Sequence, residues 1–120
     1  MKKKILAVED DPTALGALRQ ILTEAGYEVT AARSGEDALA ALAASTPNLV
    51  LLDVGMPGLS GYDICRQIRA TPKTAGLPVV FLSARAEEQD RAMGEAAGSD
   101  LYLVKPVLAS RLLAMMELFL

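Results

Sequence analysis

The sequence predicts an α/β domain: a five-stranded parallel sheet in the order 2-1-3-4-5, with helices on both faces. Three observations predict it. Short apolar runs alternate with stretches of helical periodicity along the whole chain, and regular alternation of that kind gives a parallel sheet with right-handed crossovers. Apolar residues make up 52% of the chain, slightly above the usual range, so the sheet is covered on more than one side. The strands also differ in polarity. The second is the most polar and belongs at an edge; the third is the most apolar and belongs in the centre. The order 2-1-3-4-5 meets both conditions and puts the topological switch point, where a ligand crevice opens, between strands one and three.

The elements follow in order. Ile5–Val8 is an apolar strand that runs into acids. Pro12–Ala25 reads as a helix, with Leu15, Leu18 and Leu22 at three- and four-residue spacing. Asp11 is its N-cap, Pro12 takes the first helical position, and Gly26 stops it. Glu28–Ala32 is the polar second strand. Ser34–Ala44 is the second helix, capped by Ser34, apolar at Ala38, Leu39 and Leu42, and broken by Pro47-Asn48. Leu49–Leu52 is the continuous apolar run of a strand buried on both faces, and it ends at Asp53. A loop rich in Gly and Pro, Val54–Ser60, leads to a third helix over Gly61–Ala70 with Ile64, Cys65 and Ile68 inward. Val79–Leu82 is the fourth strand, ending at Ser83. A fourth helix covers Ala86–Ala97 and stops at Gly98. Leu101–Val104 is the fifth strand, then Lys105-Pro106, then a last helix over Leu108–Leu120.

Bulk properties bound the function. The 120 residues make a single domain, 1–120. A net charge of −3 gives no general attraction to nucleic acid, and Lys2-Lys3-Lys4 reads as a solvated start. The longest purely apolar run, Ala38–Ala44, is far too short to span a bilayer, and no signal peptide is visible. Cys65 is the single cysteine, so an internal disulfide is impossible and a cytoplasmic setting fits. The chain has no histidine, which removes Ser-His-Asp and Cys-His triads and histidine-based zinc sites.

In a parallel sheet the C-terminal strand ends share one edge. Here that edge carries Glu9, Asp10 and Asp11 after strand one, Asp53 after strand three, Ser83 after strand four and Lys105 after strand five. Carboxylates crowded into one crevice raise each other's pKa, and a hard cation relieves this. Magnesium takes oxygen ligands and is often held by one or two carboxylates plus phosphate; no soft or nitrogen ligand is at hand for zinc or copper. A carboxylate, a magnesium ion, a lysine and a hydroxyl around one point fit phosphoryl transfer, which needs positioning and charge neutralisation more than proton movement. Asp53 is then the nucleophile, Lys105 balances charge on the phosphoryl oxygens and Ser83 donates a hydrogen bond. Asp11, as helix cap, already has a structural role.

The segments Val8-Glu9-Asp10-Asp11, Leu52-Asp53-Val54-Gly55-Met56-Pro57 with Gly61, Leu82-Ser83-Ala84 and Tyr102-Leu103-Val104-Lys105-Pro106 resemble the signature of the receiver (CheY-like) domain of two-component response regulators. The resemblance runs from Ile5 to the last helix and implies a flavodoxin-like topology. It implies that Asp10 touches magnesium directly and Glu9 through water, with Asp53 and the backbone carbonyl of Gly55 completing the ligands. It implies a cis Lys105-Pro106 bond and a switch in which Ser83 moves inward, Tyr102 turns from exposed to buried, and the face of helix four, strand five and helix five changes shape. The phosphoryl donor would be a sensor histidine kinase or a histidine phosphotransfer protein, roles the histidine-free chain cannot itself fill. Beyond promoting its own phosphorylation and dephosphorylation, such a domain is no enzyme; its target is an output domain or a separate protein.

Departures from that signature matter. Gly55 and Arg85 occupy positions that tune dephosphorylation in the family, and glycine offers no side chain there. Ser60 stands where the family often has an acid. Arg91 and Asp100 fit the charged network through which DNA-binding members dimerise, but Leu101, Arg111 and Met115 break its acid, acid, arginine pattern. A flavin-binding protein of the same topology would need a Ser/Thr/Gly phosphate cradle after strand one, where this chain has three acids; a dinucleotide site would need G-x-G-x-x-G there. A receiver-shaped interaction module that is never phosphorylated is the remaining rival. The chain stops on the apolar Glu117-Leu118-Phe119-Leu120, which fits either a domain cut from a longer regulator or hybrid kinase, or a natural stop.

Overall fold

In the computed structural model, which describes residues 2–56, 58–84 and 88–120, strands and helices alternate throughout. They are β1 (Lys4–Val8), α1 (Pro12–Glu24), β2 (Glu28–Ala32), α2 (Gly35–Ala44), β3 (Leu49–Asp53), α3 (Gly61–Ala70), β4 (Val79–Ser83), α4 (Glu88–Ala97), β5 (Leu101–Val104) and α5 (Ala109–Phe119). The sheet order is β2-β1-β3-β4-β5, and every pairing is parallel. The expected order and all ten expected elements are present.

Successive strand residues point to opposite faces, and each face has its own core. Leu6, Val8, Val50, Leu52 and Phe81 meet Ala38 and Leu42 of α2, Ile64, Cys65 and Ile68 of α3, and Ala97 of α4. Ile5, Leu49, Leu51, Val80 and Leu82 meet Leu22 of α1 and Leu112 and Met116 of α5. β3 and β4 are buried at every residue, which is why their sequences read as unbroken apolar runs. The edge strand β2 alternates between exposed and covered residues, and β5, at the other edge, fully buries only Leu103 among its four residues.

Local chemistry sets the helix ends. Asp11 caps α1, accepting from the amides of Thr13 and Ala14 at 3.3 Å each, with Pro12 at the first position. Ser34 caps α2 through the amide of Asp37. Ser60 closes a capping box with Asp63 on α3, so this departure from the family's acid has a structural reason. Gly26 and Gly98 follow α1 and α4 with φ of 99° and 102°, a backbone state that ends a helix and favours glycine. α5 starts at Ala109, one residue later than expected: Leu108 is its N-cap, with extended backbone (φ −64°, ψ 141°) and no side-chain cap bond. The start expected for α4 at Ala86 lies outside the described residues.

At the N-terminal edge of the sheet, Arg69 from α3 clasps two connections, α3–β4 and α4–β5, through four hydrogen bonds. Its Nε donates to the Gly98 carbonyl (2.8 Å), and Nη1 donates to the Ala75 and Leu77 carbonyls (2.9 and 2.6 Å). Its Nη2 donates to Asp100 Oδ2 (2.9 Å), which also accepts the Val79 amide (2.8 Å). Asp100 is therefore engaged within its own chain. Arg91 lies elsewhere, over the Tyr102 ring at 5.8 Å from its centroid.

Candidate functional site

Strand register assembles the site. Val8 pairs with Leu52, so Glu9 and Asp53 come next in step. Asp53 pairs with Leu82, and Ser83 with Val104, which places Lys105 immediately beyond. Two backbone bonds extend the ladders past the strands: Glu9 N–H to the Ala32 carbonyl at 3.0 Å and Lys105 N–H to the Ser83 carbonyl at 2.7 Å. The Lys105-Pro106 bond is cis. The resulting cleft, about 440 Å³, is lined by Glu9, Asp10, Asp53, Gly55, Ser83 and Lys105, together with Asp11, Ala14 and Ala84.

The floor of the cleft is held by α3. A Cβ at Gly61 would lie 2.6 Å from the Asp53 carbonyl oxygen and 3.1 Å from Val54 Cα. Both obstacles are backbone, so the helix start can approach this closely only without a side chain. At Gly55 the surroundings are open, with nothing within 4 Å of an added Cβ. The Gly55 amide approaches Asp53 Oδ1 at 3.4 Å.

Charge is dense here. Oxygens of Glu9, Asp10 and Asp53 lie within 4.8 Å of one another. Lys105 Nζ sits 2.5 Å from Glu9 Oε1 and 3.5 Å from Asp53 Oδ1. Burial opposes the charge of Lys105, but the hydrogen bond to Glu9 and the charge of Asp53 outweigh it and hold its pKa above the ordinary value. Glu9 is 2% exposed. Burial pushes its carboxyl from 4.5 up to about 7, helped by a hydrogen bond shared with Asp53 and opposed by Lys105. Three oxygen donors and no nitrogen or sulfur suit a hard cation such as magnesium.

The raised pKa of Glu9 has a sign. A carboxyl that holds its proton more tightly when folded favours the folded state at low pH. Folding then loses stability as the pH rises from about 4.5 through about 7. In the presence of chelator, Glu9→Gln is therefore expected to raise unfolding stability at pH 8, on the order of 2 kcal/mol, and to change it little at pH 4. Urea titrations at the two pH values measure this; the same effect at both would contradict the assignment.

The expected residues that meet in the cleft are Glu9, Asp10, Asp53, Gly55, Ser83 and Lys105. Asp11 borders it but turns its side chain to the α1 amides. Tyr102 stands apart, in β5, half-buried against Phe81 with ring centroids 6.1 Å apart. Arg85 and Pro57 lie outside the described residues. The sequence reading missed Ala14 and Ala84 as lining residues; the signal was positional, since Ala14 sits in the first turn of α1 and Ala84 follows the end of β4.

The model of the response regulator receiver domain family matches residues 5–117. The chain belongs to that family. This receiver domain is 43% identical over 103 residues to the transcriptional regulatory protein AfsQ1 of Streptomyces coelicolor, covering 86% of the chain and 44% of AfsQ1. It thus spans less than half the length of that relative. Among solved structures it is similar to the chemotaxis protein CheY4 of Vibrio cholerae, with a TM-score of 0.95 and 28% identity over the whole of both chains. It is also similar to TrrA of Thermotoga maritima, solved in complex with Mg(2+)-BeF, with a TM-score of 0.88 and 32% identity over 98% of this chain and 99% of that one. The receiver domain is a signalling domain of two-component systems, and among its described residues no helix is long and apolar enough to cross a membrane.

Proposed function

We propose that this domain accepts a phosphoryl group on Asp53 from a partner phosphohistidine, carried by a sensor histidine kinase or a histidine phosphotransfer protein, and that magnesium is required. The observation that carries the reading is the placement of the Asp53 carboxylate. It lies at the end of a central strand, 9% exposed, beside two further carboxylates and 3.5 Å from a lysine ammonium. A nearly buried acid among acids is costly unless it works against a cation.

Asp10 and Asp53 would hold the ion directly, with the Gly55 carbonyl and, through water, Glu9. When bound, magnesium supplies charge neutralisation on the phosphoryl oxygens. An Asp53 carboxylate oxygen forms the new bond to phosphorus as the donor's phosphorus–nitrogen bond breaks and the electron pair leaves with the imidazole. Lys105 is close enough to Asp53 to turn from Glu9 to a phosphoryl oxygen, and the Ser83 hydroxyl donates to another. Phosphorylation then shifts a pre-existing equilibrium in which Tyr102 and the α4-β5-α5 face change arrangement, and an output domain or a separate protein reads that face. The domain acts in the cytoplasm as a phosphoacceptor and promotes only its own phosphorylation and dephosphorylation.

The test is incubation with acetyl phosphate, with magnesium or with chelator, followed by intact mass. The expected result is a gain of one phosphoryl group with magnesium and none with chelator. No gain, together with no binding of beryllofluoride, would leave the domain as an interaction module that works without phosphorylation.

A further inference from the structure

α4 is attached to the sheet differently from its fellow helices. α1 buries Leu15 and Leu22, α2 Leu42, α3 Ile64 and Ile68, and α5 Leu112 and Met116. α4 buries Asp90, Gly94 and Ala97. Its one large apolar residue, Met93, is 47% exposed. Hydrophobic stabilisation scales with the apolar area removed from water, so α4 has the weakest such anchor, and segments of this kind open locally at low cost.

What α4 does rest on is aromatic. A Cβ at Gly94 would lie 3.0 Å from both the Phe81 and Tyr102 rings, so the helix backbone lies directly on them. Tyr62, Phe81 and Tyr102 form an edge-to-face ladder with centroids 5.3 and 6.1 Å apart, and Arg91 of α4 stacks over its outer ring. At the inner end, Tyr62 belongs to α3. Its hydroxyl donates to the backbone carbonyl of Asp90, 3.2 Å away and buried, in the first turn of α4. The residue before Tyr62 is Gly61, packed against the Asp53 carbonyl. A single residue step therefore separates the backbone contact at Asp53 from the side chain that grips α4.

We propose that Tyr62 is the tether that holds α4 in its resting position, and that losing this hydrogen bond favours the arrangement adopted on phosphorylation. The second half rests on phosphoryl acceptance at Asp53; the first half does not. Tyr102 and Tyr62 then act at opposite ends of one aromatic ladder, Tyr102 through the exposed face and Tyr62 through the helix start.

Tyr62→Phe removes one oxygen and keeps the ring, so the ladder and fold are retained. Hydrogen exchange is measured on the amides of residues 92–97 and on those of α3, and beryllofluoride affinity is measured by calorimetry with excess magnesium. In the variant, exchange in α4 is expected to rise about five-fold, the scale of one buried neutral hydrogen bond, with α3 unchanged. Beryllofluoride is expected to bind up to about five-fold tighter. Unchanged exchange in α4, or an equal rise in every helix, overturns the tether. Faster exchange in α4 with unaltered beryllofluoride affinity overturns its link to the switch. If the wild-type protein binds no beryllofluoride, phosphoryl acceptance and the link fail together, and the exchange comparison alone decides the tether.

Discussion

Asp53→Asn takes up no phosphoryl group from acetyl phosphate at any magnesium concentration, and it unfolds at a higher temperature than the wild type in chelator at neutral pH. Both effects have one origin. The amide oxygen is a far poorer nucleophile than a carboxylate and gives no acyl phosphate, so labelling is lost outright. The same change removes one negative charge from a cluster in which three carboxylate oxygens lie within 4.8 Å of one another. Repulsion there is only partly offset by Lys105, whose ammonium stands nearer to Glu9 than to Asp53. Intact mass and a thermal melt check the two halves. Residual labelling in the variant would move the acceptor to another acid, with Asp10 the first to examine.

Arg69→Ala is expected to be strongly destabilising although the residue lies away from the cleft and outside the apolar core. It leaves the carbonyls of Gly98, Ala75 and Leu77 without this donor and leaves Asp100 with the Val79 amide alone of these two partners. The ion pair itself contributes little, since the Asp100 side chain is 41% exposed. The weight lies in charge-assisted bonds to main-chain oxygens, worth roughly 1.5–3 kcal/mol each and not additive. A total loss of about 3 kcal/mol follows, or a fall in melting temperature of roughly 10 °C. Arg69→Lys should recover little, because an ammonium cannot reproduce the planar fork. A loss below about 1 kcal/mol would show that solvent replaces the clasp.

Why the chemistry was legible in the chain and the clasp was not comes down to range. Leu49–Asp53 is recognisable because a strand buried on both faces must be apolar throughout, so the acid at its end stands out. Asp11, Ser34 and Ser60 are readable as caps because the bonds they make reach only two or three residues along the chain. Glu9 and Lys105 are 96 positions apart, and they are readable as neighbours only because topology puts strand ends side by side. Arg69 offers no such handle. Its partners lie on loops whose approach depends on how α3 and α4 pack, and an arginine late in a helix reads as solvated. The same holds for Tyr62, whose place in the apolar pattern of α3 conceals a polar contact 28 residues away. Asp100 is similar: an acid that reads as free on the surface also holds the Arg69 guanidinium and the Val79 amide of its own chain.

The single cysteine of this chain turns out to be a built-in reporter. Cys65 is fully buried on α3, and its thiol donates to the Ala97 carbonyl at the C-terminal end of α4. Burial also pushes its pKa up, which keeps it in the unreactive thiol form. A sulfhydryl reagent in solution reaches that sulfur only when its cover opens, and the last turn of α4 is part of that cover. The rate of thiol trapping in the unmodified protein thus clocks the opening of the α3–α4 side of the core, with no label to introduce and no second cysteine to confuse the signal.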